Sequence, residues 1–90
     1  MDILKQADNL VNGDRQKAYD HPSRNFQRTA DLWNGYLDAI EHKKLDPKDV
    51  AFMMMLVKMG REIYKHSDDS LVDLVGYTLC LEKIIKDKWT

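Results

Sequence analysis

The stretch Asp49 to Lys65, DVAFMMMLVKMGREIYK, decides the fold. Eight apolar residues run without interruption from Val50 to Val57, and Lys58 and Arg61 follow about one helical turn apart. At roughly 100° per residue the stretch carries two adjacent apolar stripes. The first is Val50, Met53, Val57, Gly60 and Tyr64; the second is Phe52, Leu56, Met59 and Ile63. Only a narrow polar strip remains, made of Lys58, Arg61, Glu62 and Lys65. A helix this apolar needs cover on at least two sides, which makes it the central helix of a bundle. Its methionines read as adaptable core filling rather than as ligand contacts.

Working outward, Asp46-Pro47-Lys48-Asp49 opens this helix: Asp46 as N-cap, Pro47 in the first turn, Asp49 near the positive end of the dipole. A polar link, His42 to Leu45, precedes it. Before the link, Phe26, Ala30, Trp33, Leu37 and Ile40 recur at steps of 4, 3, 4 and 3, predicting a helix from about Ser23 to Glu41 with Trp33 as a core anchor. On the other side, His66 to Asp69 forms a turn with Ser67 or Asp68 as N-cap. A last helix runs to about Lys88, with Leu71, Leu74, Thr78, Leu81 and Ile85 in one stripe and Val72, Val75 and Leu79 widening it. Gly60 and Gly76 fall within helices, where each costs up to about 1 kcal/mol relative to Ala, so close helix–helix approach is expected at both.

At the start of the chain, Leu4, Ala7, Leu10 and Val11 mark a short amphipathic helix over Asp2 to Asn12, stopped by Gly13 and placed to cap one end of the core. Between Gly13 and Phe26, GDRQKAYDHPSRNF lacks apolar periodicity. It is dense in groups that contact ligands: Asp14, Arg15, Lys17, Tyr19, Asp20, His21, Arg24 and Asn25. Such a segment is a binding loop or a solvated connector. The expected architecture over residues 1–90 is one all-α domain, an antiparallel four-helix bundle of one short and three longer helices.

A ninety-residue chain buries only about 60–65% of its unfolded surface, and marginal cores of this size are often completed by self-association; a homo-oligomer is expected. An apolar fraction of 43% and a charged fraction of 32% describe a folded soluble chain. The net charge of −1 argues against nucleic acid or an anionic membrane as partner, so an anion site must come from local clustering. Cys80 alone excludes an internal disulfide and a zinc knuckle and reads as a small buried hydrophobe in a reducing cytosol. No signal-like segment opens the sequence and no apolar run spans a bilayer.

Asp69 and Asp73 stand one turn apart on the last helix, with Tyr77 and Cys80 continuing that side, across from Lys58, Arg61 and Glu62. Two carboxylates so spaced can share a divalent cation or pair with the cations opposite; the residue types favour ion pairing. Taken together, GDRQKAYDHPSRNFQRTADLW, DVAFMMMLVKMGREIY and DSLVDLVGYTLCLE resemble a family of small bacteriophage and prophage proteins of unknown function, over nearly the whole chain. More distantly, the chain is similar to the MazG-like all-α nucleoside-triphosphate pyrophosphohydrolases. Those are oligomeric helical bundles that hold magnesium with an E-x-x-E on one helix and an E-x-x-D on the next. By that resemblance, Asp69 and Asp73 stand near the second acidic motif, spaced i, i+4 rather than i, i+3. Where the first motif would fall stand Lys58 and Arg61, with only Glu62 acidic.

Exchanging metal-holding acids for cations favours direct contact with phosphate over hydrolysis. The resemblance therefore implies a nucleotide-binding protein of the host cytoplasm, with its pocket between helices or subunits, able to sequester a host defence messenger. In that reading Arg15, Arg28, Lys58 and Arg61 contact phosphate and Tyr19 stacks on a base. Asn25, Asp69 and Asp73 take sugar or base hydrogen bonds, with Tyr77 beside them, and no residue is assigned a catalytic role. The alternatives are a Mg²⁺-dependent pyrophosphohydrolase, with Glu62, Asp69 and Asp73 as metal ligands, and a host-protein interaction module using the apolar faces of the last two helices.

Overall fold

The computed structural model describes residues 2–13 and 20–87. It contains four helices: α1 (Ile3–Asn12), α2 (Pro22–Ala39), α3 (Pro47–Tyr64) and α4 (Asp68–Lys86). All are α-helices and no strand occurs among the described residues, so the protein is all-α and bundle-like. The central position of α3 follows from its neighbours: it packs against α2 on one side and α4 on another. No helix is long and apolar enough to cross a membrane among the described residues.

The helix boundaries follow local chemistry. Asp46 caps α3 in a reciprocal box: Asp49 N–H donates to Asp46 Oδ1 at 3.1 Å, and Asp46 N–H donates to Asp49 Oδ2 at 2.9 Å. Pro47 occupies the first turn, as expected. α2 starts one residue earlier than the sequence suggests, with Pro22 in its first turn and the ring of His21 accepting from Ser23 N–H at 3.1 Å. It also ends earlier, at Ala39. There Glu41 and His42 take left-handed φ angles of 58° and 54°, while Glu41 N–H donates to Asp38 and His42 N–H to Leu37. That pair of bonds is a Schellman closure built without glycine. At α4 the N-cap is Ser67, but its side chain makes no capping bond; Glu62 Oε1 instead accepts from Ser67 N–H at 2.8 Å.

The seam between α2 and α3 is a ladder of antiparallel contacts. Tyr36 Oη–H donates to Asp49 Oδ1 at 2.6 Å, and its ring lies 6.2 Å from that of Phe52. Trp33 Nε1–H donates to the Met53 carbonyl at 2.8 Å. Gly60 is buried, and a Cβ placed there would sit 3.4 Å from Leu32 Cδ1 and 3.9 Å from Thr29 Oγ1, which bears out the close approach expected of it. Arg28 lies over the Tyr64 ring at 5.6 Å. The α3–α4 seam is antiparallel too, with Lys58 Nζ 3.0 Å from Asp73 Oδ2.

Four expectations are corrected. The short α1 caps no core: none of its residues is buried, and Leu4 is 81% exposed. Gly76 has nothing within 4 Å of a Cβ built on it, so no close approach inside the chain accounts for it. Cys80 is an exposed thiol, because it sits at the edge of the α4 face that meets α3. Trp33 anchors α2 to α3 but is only half-buried. Cover on two sides still leaves the second stripe of α3 open, with Phe52, Met59 and Ile63 exposed. Ala51 is the one buried hydrophobic residue among those described.

Two stability predictions follow from the α2–α3 seam and its end. Gly60→Leu forces the helices apart and lowers stability by about 1–3 kcal/mol in urea titrations, as overpacking does, whereas Gly60→Ala is tolerated. Glu41→Gly relieves a left-handed residue and raises stability by up to about 1 kcal/mol, read as a higher melting temperature.

Candidate functional site

The most chemically loaded part of the chain lies where α2 begins and α3 ends. Asp20 precedes α2 in the left-handed region (φ 70°) and is 8% exposed. Its Oδ1 accepts from His21 N–H at 2.7 Å and from Arg24 Nε–H at 2.9 Å. Its Oδ2 accepts more weakly from Arg28 Nη2 at 3.4 Å. The spacing Asp20, Arg24, Arg28 places the three side chains on one helix face. The Arg24 hydrogen bond holds the Asp20 carboxyl down to about 2, against an opposing push from burial, and the same carboxylate pushes Arg24 up. Asp20 thus holds Arg24 and Arg28 at the start of α2, and Asp31 lies on the same surface as the two guanidinium groups.

Beside it, an open groove of about 310 Å³ runs along the α2–α3 seam. Phe26, Ala30, Trp33 and Val57 make it apolar, and Asn25, Thr29 and Arg61 bring polar atoms to it. The Arg28 stem lies 3.9 Å from the Cβ position of Gly60, the chain neighbour of Arg61. Arg61 lines the groove, while Arg28 lies on the neighbouring turn of α2, engaged with Asp20 and the Tyr64 ring. Arg28 Nη1 is buried and has no hydrogen-bond partner among the described residues. A buried donor left so is a place for an acceptor.

The expected site residues divide into two groups. Asn25, Arg28 and Arg61 lie along the α2–α3 seam. Lys58, Asp73 and Tyr77 lie on the α3–α4 side: Lys58 is 13% exposed and paired with Asp73, and Tyr77 lines a second groove with Met54, Cys80 and Ile84. Asp69 lies one turn before Asp73 and is exposed. Arg15 and Tyr19 lie outside the described residues. Asp20 and Arg24 organise the site more than sequence reasoning allowed; their i, i+4 spacing into Arg28 was the available signal.

The acids proposed for magnesium do not form a cluster. Glu62 is committed to the α3–α4 turn, where it accepts from Ser67 N–H and lies 2.9 Å from His66 Nδ1. The Ser67 amide, then His66, hold its carboxyl below the usual range, and Glu62 in turn raises His66. Asp73 is engaged by Lys58. Among the described residues, no group of three His, Cys, Asp or Glu side chains is placed to hold a metal ion.

The Asp20 cluster carries a pH signature. Because its folded pKa is depressed, its contribution is complete above the ordinary value of 3.8 and fades as the pH falls towards about 2. Asp20→Asn, whose side chain tolerates the left-handed backbone, removes that component. The urea midpoint of the wild type is expected to fall more steeply between pH 4 and pH 2 than that of the variant; parallel declines would rule the cluster out.

Comparison with known proteins places the chain. Residues 2–85 match the family model described as a domain of unknown function, DUF6378. The Gene 55 protein of Mycobacterium phage D29 is 38% identical over 86 residues, covering 94% of this chain and 54% of that protein. The Gene 55 protein of Mycobacterium phage L5 is 38% identical over 85 residues, covering 93% and 53%. The chain thus spans about half the length of these curated relatives. No solved structure matches it. By the match over residues 2–85, the chain belongs to the DUF6378 family of domains of unknown function, and its relatives include bacteriophage proteins.

Proposed function

We propose that this protein binds a nucleotide or a nucleotide-derived signal at the α2–α3 seam, with phosphate at the arginine end and the base in the apolar groove. The observation that carries this reading is a largely apolar groove with Arg61 in its wall, beside the turn of α2 on which Arg28 precedes the groove residue Thr29. Guanidinium groups match phosphate oxygens in a bidentate fork, and a buried unpartnered donor on Arg28 leaves one arm of that fork unsatisfied until an acceptor arrives. The exposed ring of Phe26 offers a face for base stacking, and Asn25 supplies both a donor and an acceptor for a base or sugar edge. At about 310 Å³ the groove is at the small end of ligand sites, which run from about 300 to 1,000 Å³, and suits a single base.

The choice of a nucleotide as ligand class rests on the sequence resemblance to MazG-like pyrophosphohydrolases. Hydrolysis is the poorer reading, since Glu62 closes a turn and Lys58 neutralises Asp73. In a phage setting, binding without turnover would suit sequestration of a host defence messenger.

Calorimetric titration with a panel of nucleoside triphosphates, cyclic dinucleotides and cyclic ADP-ribose isomers tests the reading. At least one ligand is expected to bind, to be displaced by pyrophosphate, and to lose about tenfold or more in affinity on Arg28→Ala, the usual cost of a charge-assisted contact. Absence of heat with every member, or equal affinity for wild type and Arg28→Ala, rejects it.

A further inference from the structure

The second apolar stripe of α3 is a feature that neither the fold nor the proposed site accounts for. Phe52, Met59 and Ile63 recur at steps of seven and four, so they share one side of the helix. α2 reaches that side only at Phe52, whose ring lies 6.2 Å from that of Tyr36, and the side stays open: Phe52 is 40%, Met59 46% and Ile63 65% exposed. Leu71 and Val75 of α4 are exposed as well. We infer that this face is the contact between two copies of the chain, packed about a two-fold axis, and that the fold is complete only as a dimer.

The extent of exposed apolar surface supports a second copy. Phe52, Met59 and Ile63 of α3 and Leu71, Val72, Val75 and Leu79 of α4 are each 40% or more exposed, and a chain of ninety residues depends on covering such surface to fold.

Two further observations select a copy of this chain over a foreign partner. With Ala51, 5% exposed, as the one buried hydrophobic residue among those described, folding and covering have to occur together. The occupant must therefore be present wherever the chain is made, as a second copy is. A two-fold contact also sets each residue near its own equivalent, so a charge in the stripe would meet a like charge. The stripe Phe52, Leu56, Met59, Ile63 carries none over three turns.

Sedimentation equilibrium of the full chain, with thermal melts at several concentrations, tests this. The wild type is expected to be a dimer at micromolar concentration and to melt higher as concentration rises. Ile63→Lys is expected to yield monomer or unfolded chain, while Leu4→Lys on exposed α1 leaves the dimer intact. Met59→Gln, which keeps side-chain length and helix propensity, keeps the test readable if Ile63→Lys does not fold; it weakens the dimer roughly tenfold. A folded wild-type monomer with a concentration-independent melt overturns the inference, and so does a dimer unmoved by Met59→Gln.

Discussion

The carboxylate of Asp49 is the junction on which the arrangement of α2 and α3 depends. It is 3% exposed, yet it completes the cap of α3 and accepts the Tyr36 hydroxyl from α2. Those bonds hold it ionised: the Tyr36 hydroxyl first, then the Asp46 amide, keep its carboxyl below the usual range, while burial and that same carboxylate push Tyr36 up to about 12. A buried charge is tolerated only where such donors replace water. With Tyr36 tied to Asp49, the antiparallel register of the seam follows. Trp33 meets Met53, Thr29 and Leu32 meet Gly60, and Arg28 meets Tyr64. The arginine-bearing end of the seam is thus set by a contact some four turns away.

The balance of buried groups is unusual for a folded chain. Asp20, Asn25, Asp49 and Ser70 are buried, against a single hydrophobic residue, Ala51. Satisfied polar groups specify geometry well, but each hydrogen bond contributes only about 0.5–1.5 kcal/mol net. Apolar burial normally supplies the main favourable term. Within one chain that term is small, because the helices lie as a layer about α3 rather than closing around it. The polar junctions therefore dictate how the helices meet, while Phe52, Met59 and Ile63 of α3 stay exposed among the described residues.

The distribution of charge separates two seams with different chemistry. On the α3–α4 side, Lys58 and Asp73 neutralise one another and Glu62 is drawn into a turn. On the α2–α3 side, Asp20 faces Arg24 and Arg28, with Asp31 on the same surface. Lys58 and Arg61, one turn apart on the same helix, consequently play unlike parts: the first closes an ion pair, the second lines a groove. Arg61 thus lies beside a largely apolar surface on the α2–α3 side.

Much of the fold was legible in the residues because its signals are local. The Asp46-Pro47 start of α3, the apolar period of α2 and the turn after Tyr64 rest on capping, backbone restriction and side-chain periodicity, all of which act within a few residues. The same holds for the division into four helices and for the reading of α3 as central. Tertiary structure alone decided which apolar faces were used. Periodicity marks a stripe as apolar but does not say what meets it, so α1 and the second stripe of α3 read as core while remaining exposed. Gly60 and Gly76 are alike in sequence context, yet Leu32 reaches only the first. Pairing of Asp73 with a cation of α3 was the reading the residues favoured, but that Lys58 is the cation that meets it and that Arg61 lines the α2–α3 groove depend on the rotation of each helix about its axis, and that rotation is set by packing between helices rather than by the order of residues along one.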